Sequence, residues 1–81
     1  MPYLPWKRKE ALESGWPVET PGDLNFSIAL LVKEYVAMNG GMSYTTINNA
    51  IGALECCKLE LYRRLAAPYE DTKIKENGDV F

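Results

Sequence analysis

SYTTINNAIGALECCKLELYRRLAA, residues Ser43–Ala67, is the stretch on which the reading of the fold turns. Ser43 stands where a helix cap is needed, since its hydroxyl can accept from a backbone N–H of the first turn. Behind it Tyr44, Ile47, Ile51, Leu54, Leu61 and Leu65 return at steps of three and four, with one step skipped. That is the period of a helix with one apolar stripe, heptad-like and interrupted where Lys58 stands. Ala50, Ala53 and Cys57 lie alongside it. Gly52 and Cys56, small and four apart, are expected to permit close helix approach. Gly52 costs roughly 1 kcal/mol against alanine in a helix interior, so a packing gain is expected to offset it. Glu55 with Lys58, and Glu60 with Arg63 and Arg64, have the spacing of helix ion pairs.

Upstream, Thr20-Pro21-Gly22-Asp23 reads as a start signal: a cap hydroxyl, proline in the first turn, then an acid near the positive end of the helix dipole. Asp23 serves equally well as the cap itself on sequence grounds. Leu24, Ile28, Leu31, Tyr35 and Met38 form a second stripe. Leu30, Val32, Val36 and Ala37 widen it, which predicts burial on more than one side. Asn39-Gly40-Gly41 ends this helix. Residues 1–21 read as an arm containing Pro2, Pro5 and Pro17, with a short helix expected over Pro5–Ser14 and Gly15 just past its end. Trp6 and Trp16 are expected to drape the arm on the body or on a neighbouring subunit.

Downstream, Pro68 is expected to break or kink the long helix. Tyr69–Glu76 then predicts a last short helix with Glu70–Lys73 and Asp71–Lys75 pairs, stopped at Asn77-Gly78. No stretch alternates with period two. The prediction is an all-α domain of two to four helices over residues 22–81, its long central helix packed antiparallel to a shorter one.

The chain has 81 residues and a mass of 9.1 kDa, room for one small domain. Nine Lys and Arg against eleven Asp and Glu give a net charge of −2, so nucleic acid is not the expected partner. Histidine is absent, which removes Ser-His and Cys-His nucleophile systems and most zinc sites. Cys56 and Cys57 are adjacent, where a bridge is strained, and both read as reduced thiols of a cytosol, used as small packing residues. The start, Met1 to Lys9, lacks the apolar run of a secretory signal. Ile28–Val32 is far shorter than the roughly 20 residues of a membrane span. With neither disulfide nor metal expected to help so small a domain, homo-oligomerisation is the expected remedy.

No glycine loop, calcium loop or facing carboxylate pair is present. Glu55 and Glu60 lie about 140° apart around a helix. No enzyme activity, cofactor or metal is expected. The most suggestive group is Lys58, Tyr62, Arg63, Arg64 and Tyr69: guanidinium forks match phosphate oxygens, and tyrosine stacks on a purine. Lys58 is placed to reach a pocket between subunits. Asn48 and Asn49 are poor mid-helix residues, and one of them is expected on the buried side, fixing register or binding a ligand's polar edge. Tyr44 is expected to line the same region. The competing reading is an ordinary solvated helix face.

Gly22-Asp23-Leu24-Asn25-Phe26, Ser43-Tyr44, Ile47-Asn48, Ile51-Gly52, Leu54-Glu55, Lys58, Glu60, Tyr62-Arg63-Arg64, Pro68-Tyr69-Glu70-Asp71 and Glu76-Asn77-Gly78-Asp79-Val80 together resemble a family of small bacteriophage and prophage proteins of unknown function. The resemblance covers residues 22–81 and brings no catalytic residue. It implies, by analogy of type, a cytoplasmic host-takeover or anti-defence factor. The expected role is a homo-oligomer that sequesters a phosphorylated nucleotide signal of the host, such as a cyclic nucleotide or a cyclic ADP-ribose isomer. Arg63 and Arg64 would then hold phosphates, Tyr44 or Tyr62 would stack on a base, and Asn48 and Lys58 would supply polar contacts. The alternative is a protein-interaction module that inhibits a host enzyme or serves phage assembly, using Trp6, Trp16 and the acidic tail.

Overall fold

The computed structural model describes residues 4–81, so Pro2 of the arm lies outside the described residues. Four α-helices follow in order: α1 (Trp6–Glu13), α2 (Pro21–Met38), α3 (Tyr44–Leu61) and α4 (Ala67–Asn77), with a π-helical turn at Tyr62–Ala66 between the last two. No strand occurs among the described residues. The class is all-α, and the chain divides within α3 into two compact units, one ending at Ile47 and one running Asn48–Phe81.

In the first unit, α1 occupies the span marked by Pro5 and Ser14, and Gly15 follows at φ +92°. Thr20 caps α2: its Oγ1 accepts the Asp23 N–H at 3.0 Å, and Asp23 Oδ2 accepts the Thr20 N–H at 3.3 Å. This reciprocal capping box satisfies two of the donors that a helix start leaves open. It also settles the cap in favour of Thr20.

Asp23 is only 1% exposed and has a second partner that the sequence pattern does not disclose. Arg8 Nε donates to Asp23 Oδ1 at 3.0 Å, Arg8 Nη2 donates to Oδ2, and the same Nη2 donates to the Pro17 carbonyl at 2.9 Å. Glu19 N–H adds a bond to Oδ2 at 3.1 Å. The capping acid of α2 is thereby the anchor of α1. Leu12 of α1 is buried, and Phe26, Leu30, Val32 and Val36 of α2 are partly buried.

The predicted α2 stripe behaves otherwise. Leu24, Ile28, Leu31, Tyr35 and Met38 are exposed, Met38 to 85%. An eight-residue α1 is too short to cover both sides of an eighteen-residue helix, so the wide apolar surface stays open. The helix ends at Asn39, with Gly40 and Gly41 at φ +97° and +83°, where only glycine is unstrained.

Ser43 caps α3 as its position predicts, accepting the Thr46 N–H at 3.1 Å. Pro68 does not break the helix that follows. The Ala67 N–H donates to the carbonyl of Tyr62, five residues back, so the chain widens by one residue into the π turn. Proline has no N–H to offer and its ring crowds the carbonyl four residues before it. Widening the preceding turn takes up that misfit, and Pro68 sits in the first turn of α4, where its missing donor is harmless.

Lys58–Glu55 at 3.3 Å and the pairing of Arg63 and Arg64 with Glu60 occur as the spacing predicts. The α4 pairs differ. Lys73 bonds Glu76 at 3.2 Å, and Glu70 is taken by the Tyr62 hydroxyl in place of Lys73.

Burial is scarce in the second unit. Ala50 is buried, Ala66 and Ala67 are partly buried, and the remaining residues are exposed. Cys56 and Cys57 are exposed free thiols, not packed ones. A Cβ built on Gly52 meets nothing within 4 Å, so the close approach expected there is not used. Gly52→Ala is therefore expected to stabilise the helix by about 0.5–1 kcal/mol. A higher helix signal and melting midpoint by circular dichroism would show it; a lower midpoint would mean that something packs on the Gly52 face.

Candidate functional site

The end of α3, the π turn and the start of α4 form an open groove of about 640 Å³ within the second unit. Leu61, Leu65 and Ala66 supply its apolar floor, and Lys58, Tyr62 and Tyr69 complete it. The π turn is the reason Tyr69 belongs here. On an uninterrupted heptad the step after Leu65 lands on Pro68. The extra residue carries the register on by one, and Tyr69 takes that place.

Two polar groups of the groove, Tyr62 and Lys58, have side-chain partners within the second unit. Tyr62 Oη donates to both carboxylate oxygens of Glu70 at 3.2 Å. That bond and the Glu70 charge raise the tyrosine above its ordinary pKa. Lys58 Nζ rests on Glu55. Both pairs are exposed, and exposed pairs contribute little to stability and give way readily to a competing anion.

Arg63 and Arg64 do not line the groove; at about 100° per residue they fall with Glu60 on the other side of the helix. Arg63 Nη2 donates to Glu60 at 2.9 and 3.0 Å, and Arg64 Nε donates to the same carboxylate. Two guanidinium groups thus share one carboxylate, which leaves a local surplus of positive charge. Asn48 and Asn49 are both exposed, so neither occupies the buried side predicted for one of them. Asn48 lies fourteen residues before Tyr62 on the helix, about 21 Å along its axis. Tyr44, at the first position of α3 in the first unit, is also exposed. Of the seven residues singled out in the sequence, the groove unites Lys58, Tyr62 and Tyr69, and Arg63 and Arg64 lie outside it. The part of the site that sequence reasoning missed is Leu61 and Leu65, whose stripe reads equally well as core, and Ala66.

Among the described residues no group of three His, Cys, Asp or Glu is placed to hold a metal ion. No helix of the described residues is long and apolar enough to cross a membrane. A family model described as a domain of unknown function (DUF6899) matches residues 1–80. No curated protein and no solved structure matches the chain.

Proposed function

Because the chain belongs to the family of that domain of unknown function, DUF6899, we propose its role from its own residues: a non-enzymatic, phage-encoded homo-oligomer that sequesters a small phosphorylated ligand. The ligand class is a nucleotide-derived immune signal of the bacterial host, of cyclic nucleotide or cyclic ADP-ribose type, bound in the host cytoplasm. The observation that carries this reading is the meeting of Lys58, Tyr62 and Tyr69 on one apolar groove, and two arginines outside its lining that share a single carboxylate. A phosphate displaces Glu60 and takes both guanidinium forks, a charge-assisted contact. A base stacks on a tyrosine ring. Lys58, released from Glu55, adds a cation. Tyr44 and Asn48 enter only from another copy of the chain. Sequestration needs affinity and no nucleophile.

Calorimetry with cyclic dinucleotides and cyclic ADP-ribose isomers tests it, followed by heating and chromatography of the released ligand. Binding with intact recovery is expected, and Arg63→Ala and Arg64→Ala are each expected to weaken it about tenfold or more. A degraded ligand contradicts sequestration, and the absence of binding removes the reading.

A second reading, a module that docks on a host enzyme or a phage assembly, draws on Trp6 and Trp16, which are 68% and 61% exposed. A stoichiometric host protein retained by the wild type and lost in Trp6→Ala and Trp16→Ala would favour it.

A further inference from the structure

The second unit carries an apolar seam, Ile51, Leu54, Leu61 and Leu65, that its own residues leave open, and we infer that a second copy of this chain covers it in antiparallel orientation, centred on Cys56. The inference rests on the homo-oligomer half of the proposed function and is independent of the ligand.

Three observations select the occupant and its direction. First, the seam spans about two heptads on one helix and holds a single charge, Lys58, in place of an apolar residue. A seam of this kind fits another helix with the same spacing, and a single polar seam residue specifies how the helices pair. Secondly, a parallel copy sets Lys58 against Lys58 in the same layer, two like charges in a closing interface. An antiparallel copy sets Lys58 against Leu54 of the second copy, with that copy's Glu55 next in line. Glu55 already bonds Lys58 within one chain at 3.3 Å, so the two copies form a closed cluster of two cations and two carboxylates. Thirdly, the register follows from the same residues. With Cys56 at the centre, Ile51 meets Leu61 and Leu54 meets Lys58, so these four seam positions are all engaged. Sliding by one heptad moves the copy about 10 Å and takes its Glu55 away from Lys58.

The pairing also brings residues of both copies to the edge of the seam. Asn48, held away from Tyr62 in one chain, comes to the flank of Tyr62 from the opposite copy. The second copy covers Leu61, Leu65 and Lys58, and Tyr62 and Tyr69 of one copy are left with Asn48 of the other at the edge of the seam.

Solution mass and spin-label distances on the full chain test this. Cys56 and Asn49 lie seven residues apart on the same outward helix face, away from the seam. One nitroxide is placed on Cys56 in a Cys57→Ser background, and another on an Asn49→Cys change in a background with both native cysteines replaced by serine. The expected result is a dimer, or a higher assembly of such dimers. Moving the label from 56 to 49 is expected to add about 21 Å of axial separation, because each residue of offset counts once on each helix. Equal distances at the two positions mean a parallel pair or a different face, and overturn the pairing. A monomer at micromolar concentration overturns the pairing and the shared site together. An antiparallel dimer that shows no calorimetric response to the nucleotides keeps the pairing and removes only the ligand reading.

Discussion

Replacing Asp23 with alanine is expected to lower the thermal midpoint of the first unit by on the order of 10 °C or more. The carboxylate closes the capping box of α2 and holds Arg8 of α1 and the Glu19 N–H. Alanine leaves a guanidinium without its counter-charge and backbone donors without an acceptor, which is the costly way to break such a pair. Arg8→Ala is expected to have a smaller effect, since Thr20 and the backbone donors keep their bonds to Asp23. Arg8→Lys is expected to fall between wild type and Arg8→Ala, because an ammonium cannot use both oxygens as a fork does. Near-ultraviolet circular dichroism of Trp6 and Trp16 during melting reports this unit. An unchanged midpoint in Asp23→Ala would show that the anchor holds nothing.

The pH dependence has a definite sign. The Arg8 hydrogen bonds hold the Asp23 carboxyl well below the usual carboxylate range. A group whose pKa is lower folded than unfolded stabilises the fold above its unfolded value, about 3.9, and the gain is lost as pH falls towards the folded value. The anchor is therefore expected to be intact across neutral and mildly acidic pH, and its contribution to fade only in strong acid. In Asp23→Asn that part of the acid dependence disappears.

If two copies pair along the seam as proposed, Leu61→Glu is expected to dissociate them at micromolar concentration, with the self-association constant weakened about a hundredfold or more. The new carboxylate lies in the seam, where closing the interface would strip its water, a penalty of several kcal/mol. Leu59→Glu is the matched control. It has the same chemistry on the same helix, but Leu59 stands outside the seam and is 58% exposed. It is expected to leave the mass unchanged. Dissociation by Leu59→Glu with Leu61→Glu intact would place the interface on the other face. Equal behaviour of the two variants would show that the seam is not what holds the copies together.

The parts of the fold legible in the residues are those made by short-range physics. The Ser43 and Thr20 caps, the glycines after Asn39, and the Glu55–Lys58 and Glu60–Arg63–Arg64 pairs join groups within four residues of each other. At that range, backbone geometry alone brings the partners together. Pro68 shows where such reasoning fails. Its conflict with the helix is readable, but whether the chain breaks or widens depends on what the neighbouring turns tolerate. The π turn sends Tyr69 to the groove and Tyr62 to Glu70, eight residues on.

By itself, then, the sequence determined an all-α chain and the starts of its two long helices, because propensity, capping and the 3.6-residue period act locally. Only the tertiary structure decided that Arg8 reaches across fifteen residues to Asp23, and that Lys58, Tyr62 and Tyr69 share one groove. It also decided which apolar stripes remain uncovered. A stripe records that a face avoids water; what lies against it depends on which other surfaces can reach it, and periodicity carries no record of that.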